Sequence, residues 1–215
     1  MIVERDNWLS RSLFAGLPIE RLEMARFAAL IKESRPALVI DVGANIGVYT
    51  LLACKHGNAQ IYAFEPNSQV LNHLAANVLL NGWSSRVAIH PFALGANDGE
   101  ADLFLSPQNA EVATFRPELM VGLFSYPQQA RVKVAHFDRL YQPEGLDVLV
   151  KIDVEGFEDD VLHGMERLFA RNRVTLLVEV FLKDSPVAAR LQSWGYEETG
   201  RSGYNYWYAR SQPSQ

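Results

Sequence analysis

The sequence predicts an α/β protein built on a mostly parallel, Rossmann-like sheet with helices on both faces, and three observations carry that reading. Apolar runs of strand length alternate with helically spaced segments along most of the chain. The first run, Val39-Ile40-Asp41-Val42, opens into a glycine turn, Gly43-Ala44-Asn45-Ile46-Gly47. The second, Ile61-Tyr62-Ala63-Phe64, ends on an acid, Glu65, placed twenty-two residues beyond Gly43. Strands that alternate with helices need right-handed crossovers, and these set the strands parallel in one sheet.

Taken in order, Leu22, Ala25, Arg26, Ala29 and Leu30 recur at helical spacing and stop before Pro36, so residues 1–36 read as a helical flank or lid on a domain spanning 37–215. Strands are expected at 37–42, 59–64 and 86–93, with helices at 47–56 and 67–81 between them. Residues 101–105 and 131–137 read as extra strands around a loop, 106–129, rich in Ser, Pro, Gln and Asn and suited to covering a substrate. The pattern resumes with a buried strand at 146–153, a helix at 157–171, a strand at 174–181 and a helix at 186–194. Tyr204 to Ala209 alternates as a final strand, which closes the sheet as an antiparallel hairpin. No internal repeat or linker divides the chain.

The turn after the first strand needs glycine where the backbone takes φ > 0 or lies against a ligand, and Gly43 and Gly47 supply that freedom. Such a turn also serves plain strand-to-helix packing. The helix that follows points unpaired N–H groups and its positive dipole end into the crevice. Glu65 suits two hydroxyls of a ribose, Pro66 rigidifies the exit from its strand, and Asn67 or Ser68 suits the next helix cap. At a strand tip outside the core, Glu65 is expected to matter to a ligand more than to folding. A dinucleotide site carries a second glycine where this chain has Asn45, and Asp41 favours a cationic ligand. That pattern favours S-adenosylmethionine over NAD, with Asp41, Gly43, Ala44, Asn45, Gly47, Glu65, Pro66 and Asp153 as candidate cofactor-binding residues.

The chain resembles the FkbM-type S-adenosylmethionine-dependent methyltransferases. The likeness rests on Asp41-Val42-Gly43-Ala44-Asn45-Ile46-Gly47-Val48-Tyr49, Ala63-Phe64-Glu65-Pro66-Asn67, Leu79-Leu80-Asn81 and, most specifically, Lys151-Ile152-Asp153-Val154-Glu155-Gly156-Phe157-Glu158. The resemblance implies a seven-stranded methyltransferase sheet and methyl transfer to a hydroxyl of a sugar, glycolipid, polyketide or other small molecule.

Asp153 lies at the carboxyl end of a parallel strand, where open α/β sheets bind ligands, and Glu155 follows in the turn. Asp153 is the first candidate for orienting or deprotonating an acceptor and Glu155 the second; both, with Glu158, also suit a helix start, where dipole effects contribute roughly 0.3–1 kcal/mol each. Lys151 is expected on the opposite face, paired with a neighbour. Glu179 lies in an apolar strand, which is costly unless the carboxylate is paired or used. His56, His73 and His163 fall in helical patterns, while His90 and His136 lie in strands from which either can reach the site. No His spacing suits zinc; Asp153, Glu155 and Glu179 leave Mg²⁺ with waters open beside a metal-free base.

Composition narrows the classes further. With 215 residues, 48% hydrophobic and 21% charged, the chain suits one globular domain. A net charge of −5 argues against a general nucleic-acid grip. The segment Asp153-Val154-Glu155-Gly156 also departs from the proline- and aromatic-containing turn of exocyclic-amine methyltransferases. The single cysteine, Cys54, reads as packing, and the expected compartment is the cytoplasm, since neither a long apolar stretch nor a basic leader is seen. Three functions stay open on the residues: a small-molecule or carbohydrate O-methyltransferase, a nucleic-acid or protein methyltransferase, and a non-catalytic cofactor-binding module.

Overall fold

The structure is a computed structural model and describes residues 21–106, 112–120 and 125–210. Its centre is a seven-stranded sheet in the order β10-β11-β9-β8-β1-β2-β3. The strands are β1 (Leu38–Val42), β2 (Gln60–Phe64), β3 (Val87–His90), β8 (Asp147–Ile152), β9 (Arg173–Glu179), β10 (Tyr196–Ser202) and β11 (Asn205–Arg210). All neighbouring pairs from β3 to β9 are parallel, while β11 runs antiparallel to both β9 and β10. The expected sheet and closing hairpin are therefore present.

Because side chains alternate along a strand, the sheet feeds two cores. Ile40, Val42, Val150, Ile152, Leu176 and Val178 face one side and pack with Phe137, Val161, Leu162, Phe169 and Leu191. These come from α4 (Phe137–Leu140), α5 (Glu158–His163), α6 (Glu166–Arg171) and α7 (Val187–Ser193). Val39, Ile61, Ala63, Leu149 and Leu177 face the other side. There they meet α1 (Arg21–Ser34), α2 (Val48–His56) and α3 (Ser68–Leu80). Phe27 of α1 packs edge-on against Tyr49 of α2, with ring centroids 5.0 Å apart. Arg26 of the same helix lies 4.9 Å over the Trp207 ring and donates to the Thr199 carbonyl at 3.1 Å. The contacts of α1 thus run into the core of the sheet's second face.

A second, four-stranded sheet has the order β4-β7-β5-β6, from β4 (Ala93–Leu94), β5 (Gly99–Leu105), β6 (Ala113–Thr114) and β7 (Gln128–Ala135). It corrects three expectations. The strand expected over 86–93 stops at His90 and resumes as β4 in the other sheet, because His90 turns into an aromatic cluster. His90 stacks on Phe64 at 4.6 Å and its Nε2 lies 3.1 Å from the Tyr141 hydroxyl. The strand expected over 131–137 runs from Gln128 to Ala135, and Phe137 begins α4. The helix expected over 157–171 is two helices, α5 and α6, broken at Gly164. There the backbone passes so near Gly95 that a Cβ on Gly164 would sit 2.3 Å from the Gly95 carbonyl oxygen. The new helix start is capped from outside: Asp138 accepts from the amides of Arg167 at 2.6 Å and Leu168 at 3.0 Å.

Candidate functional site

Two groups of acids meet at the carboxyl end of the central strands. The first surrounds the glycine turn. Gly43 and Gly47 have φ of 77° and 95°, and Asn45 is left-handed at 53°. Gly43 has a second reason to be glycine, since its Cβ would lie 1.8 Å from the Asp153 carbonyl oxygen. The turn is hung on β2 by the amides of Gly43 and Ala44, which both donate to the Phe64 carbonyl at 3.0 Å. Asn77 of α3, fully buried, donates from its side chain to the Ile46 carbonyl at 2.9 Å. Sequence reading missed this pin, because only the fold brings α3 to the turn.

Glu65 is buried, which corrects the expectation of a tip outside the core. Its Oε2 accepts from the Asn45 amide and its Oε1 from the Asn67 amide, both at 2.8 Å, so one carboxylate ties the glycine turn to the start of α3. Burial pushes its pKa up to about 7 even against those two hydrogen bonds. Asn67 in turn caps α3 through the Gln69 amide at 3.0 Å. Pro66 is half-buried between Glu65 and that cap. Asp41 is paired in register with Ala63 and Lys151. Its Oδ2 accepts from the Thr50 hydroxyl at 2.6 Å, while Oδ1 is buried with no hydrogen-bond partner among the described residues. Burial raises the Asp41 pKa, and the nearby Lys151 ammonium opposes the shift.

The second group gathers at the tips of β8 and β9. Lys151 is not on the opposite face: residues two apart on a strand share a face, and its Nζ lies 2.6 Å from Asp153 Oδ2. The Lys151 side chain is 4% exposed and the Asp153 side chain 23%. The ammonium also sits 4.6 Å from the centre of the Tyr49 ring. Glu179 reaches the same place from β9, near enough for the negative charge of Asp153 to act on it. Desolvation first, then the negative charge of Asp153, drives the Glu179 pKa far above the carboxylate range. Glu155 follows in a left-handed turn, φ 52°, and burial with the same Asp153 charge raises it too. Glu158 is a turn stabiliser: its Oε1 accepts from the Gly156 amide at 2.8 Å, and burial raises it to about 7.

The small sheet covers this second group. The Thr114 hydroxyl of β6 donates to the Glu155 carbonyl at 2.6 Å. Phe115 and Phe157 pack with ring centroids 4.7 Å apart, and Arg116 pairs with Asp160 at 3.2 Å. The Tyr126 hydroxyl is pushed up to about 12 by burial and then by the charge of Glu155. These contacts fall in the described parts of the expected cover 106–129; positions 107–111 and 121–124 lie outside the described residues.

His136 precedes α4 and binds Asp98 through its backbone amide at 2.8 Å, so its main chain serves the small sheet. Cys54 is buried with its thiol raised to about 11, in keeping with packing. The carboxylates do not fit Mg²⁺. The Lys151 ammonium already holds Asp153 Oδ2 and places a positive charge where the metal would sit. Among the described residues no group of three or more His, Cys, Asp and Glu is placed to hold a metal ion.

A parallel sheet with the reversed hairpin, a glycine turn after its first strand and acids at neighbouring strand tips define a Rossmann-like methyltransferase domain. Solved structures agree at the level of fold. A methyltransferase FkbM from Methylobacillus flagellatus aligns with a TM-score of 0.58 at 16% identity, over 85% of this chain and 47% of its own. A methyltransferase from Geobacter sulfurreducens aligns at 0.55 and 14% identity, over 93% and 85%. The methyltransferase FkbM domain model matches residues 41–197, and the chain belongs to that family. Among curated proteins, methyltransferase sdnD of Sordaria araneosa is 29% identical over 156 residues, and methyltransferase 1 of Beauveria bassiana 29% over 147 residues. The matches span 60% of this chain and 60% and 59% of those relatives. No described helix is long and apolar enough to cross a membrane.

Proposed function

We propose that the protein is an S-adenosylmethionine-dependent O-methyltransferase acting on a hydroxyl of a small molecule, with a sugar, glycolipid or polyketide as the acceptor class. The observation that carries this reading is the juxtaposition of the two acid groups: Gly43 lies against the backbone of Asp153, and the Asp153 amide donates to the Val42 carbonyl at 3.0 Å. A cofactor seated on the glycine turn therefore has the β8 tip as its neighbour.

The donor set suits this cofactor. Asp41, with a buried oxygen to spare, matches a cationic group, and Glu65 retains a lone pair on each oxygen for ribose hydroxyls. Gly43, Ala44, Asn45 and Gly47 offer turned backbone, and Pro66 closes the crevice beside Glu65. Bound S-adenosylmethionine supplies a methyl group on a sulfonium leaving group. The chain then has to align the acceptor oxygen and accept its proton. Asp153 takes that role through Oδ1, since Lys151 holds Oδ2, and Glu155 stands second. The β6 contact over Glu155 borders the acceptor side, and helix α1 serves as a flank beside the domain over 37–215, the two forming a single domain overall.

The test is a screen of hydroxylated sugars, glycolipids and polyketides with methyl-labelled S-adenosylmethionine. Label transferred to an acceptor oxygen is the expected result. Transfer to RNA or protein in its place, or calorimetry showing NAD bound more tightly than S-adenosylhomocysteine, would replace the reading.

A further inference from the structure

Asp153 is fixed at its main chain by the glycine turn and at its side chain by Lys151. Its amide donates to the Val42 carbonyl at 3.0 Å, and its own carbonyl fills the space that a Cβ on Gly43 would need. What remains to be set is χ1, for which three staggered wells exist. The Lys151 ammonium, 2.6 Å from Oδ2, selects among them. Lysine carries its compact charge on a flexible four-carbon stem, so the ammonium needs a support of its own.

That support comes from the α1 side of the sheet. Trp207, Leu177, Lys151 and Asp41 stand in register across four strands, so their side chains share the face that buries Leu177 and Trp207 beside α1 and α2. On this face the Lys151 ammonium sits 4.6 Å from the centre of the Tyr49 ring, whose negative face attracts it. Tyr49 is held in turn by Phe27 of α1, fully buried and packed edge-on with centroids 5.0 Å apart. The helix itself is anchored on either side of Phe27. Arg26 lies over Trp207 and donates to the Thr199 carbonyl at 3.1 Å, and Ile31 approaches the end of α2 so closely that a Cβ on Gly57 would lie 2.5 Å from its Cγ2. α1 ends at Ser34, before the span 41–197 over which the family model matches, so membership of the family assigns it no role.

We infer that Lys151 and Tyr49 are positioning residues for Asp153: Phe27 of α1 steadies the Tyr49 ring, the ring steadies the Lys151 ammonium, and the ammonium keeps the Asp153 side chain in one rotamer. The inference deepens the methyltransferase reading and rests on it for the use made of Asp153. An acceptor oxygen has to meet a carboxyl oxygen already in place, since a misplacement of about 1 Å is enough to slow a reaction roughly 10²-fold. The chain of contacts itself needs no ligand, so it can be read in the free protein.

The test is NMR of the free protein, reading the three-bond couplings to the Asp153 β protons. These differ from each other when χ1 keeps to one well and converge when it samples several. The wild type is expected to show one rotamer. Lys151→Met and Tyr49→Leu are each expected to average the couplings, while Tyr49→Phe, which keeps the ring face, is expected to retain the wild-type pair. Phe27→Leu leaves Tyr49 in the chain but removes its edge-on partner; it is expected to shift the Lys151 ε-methylene protons, which feel the Tyr49 ring, and to average Asp153 in part. Lys133, whose ammonium lies 5.0 Å over the Phe92 ring in the small sheet, is the internal control and is expected to keep its shift throughout. Averaged couplings in the wild type, a single Asp153 rotamer in Tyr49→Leu, or equal averaging in Tyr49→Phe and Tyr49→Leu would overturn the inference, as would a Phe27→Leu spectrum unchanged at both Lys151 and Asp153. Where Lys151→Met does not fold, the two Tyr49 variants decide it. Calorimetry with S-adenosylhomocysteine on the same wild-type sample tests the methyltransferase reading separately: no binding beside a single Asp153 rotamer would remove that reading and leave the positioning chain standing.

Discussion

The acid at the tip of β2 is buried, the acids at the tips of β8 and β9 are half-buried, and the two groups are satisfied in different ways. Glu65 spends its hydrogen bonds on backbone amides, at Asn45 and Asn67. Asp153 spends its own on the Lys151 ammonium, with Glu155 and Glu179 near enough to feel its charge. A backbone amide is always a donor, so the first arrangement fixes shape. A lysine or a carboxyl group can gain or lose a proton, so the second arrangement sets charge, and one substitution alters it. The two regions divide the work of the crevice into holding and reacting.

The sharpest test of that division is Asp153→Asn, which keeps the shape and removes the charge. Turnover is expected to fall roughly 10²–10⁴-fold while S-adenosylhomocysteine affinity, read by calorimetry, stays close to wild type. Near-normal turnover would move the reacting role to Glu155 or Glu179. Gly43→Ala strikes both regions at once, because the new methyl group meets the Asp153 carbonyl in a left-handed turn. A loss of at least about 2 kcal/mol in urea unfolding is expected, and unchanged stability would mean the two loops move apart freely.

Glu65→Ala probes the holding side. It strands two backbone amides, so a stability loss of about 1–3 kcal/mol should accompany any weakening of cofactor binding. Loss of binding without loss of stability would make Glu65 a ligand residue only. Smaller still is the effect of pH on the free protein. Glu65 and Glu158 are raised to about 7 from 4.5, so the native state binds their protons more tightly than the unfolded chain does. Their stabilisation is full below the unfolded value and is lost as pH rises through about 7. Asp98 and Asp147, shifted downward, contribute stability that is lost only as pH falls below their ordinary range, so they leave the loss between mildly acidic and mildly basic solution unopposed. Denaturant midpoints that rise with pH would contradict the burial of these acids. The smallest effect is expected from a chelator: with Lys151 in the place of a cation at Asp153, methyl transfer should be unchanged, and loss restored by Mg²⁺ would put a metal where the ammonium now sits.

The holding region was legible in the sequence because its parts are local. Gly43, Gly47 and the acid at position 65 follow from strand-turn-helix geometry within a few residues, and Asn67 caps α3 as its position suggests. The reacting region was legible only in part. Asp153 and Glu155 are marked by their place after a buried strand, and Glu179 by its cost in an apolar one, but their meeting depends on register between β8 and β9. Lys151 reads from sequence as facing away from Asp153, although the alternation of side chains puts 151 and 153 together. The split of 86–93 and the break at Gly164 depend on contacts with His90's aromatic neighbours and with Gly95, far away in sequence. No periodicity encodes such contacts.

Asp138 caps a helix that begins twenty-eight residues later, and its own segment belongs to the chain leaving the small sheet. The amides of Arg167 and Leu168 are therefore shielded by a side chain from another part of the fold and not by their own helix. In hydrogen-exchange terms they are remote reporters: any opening between Asp138 and α6 is expected to show as faster exchange of these two amides.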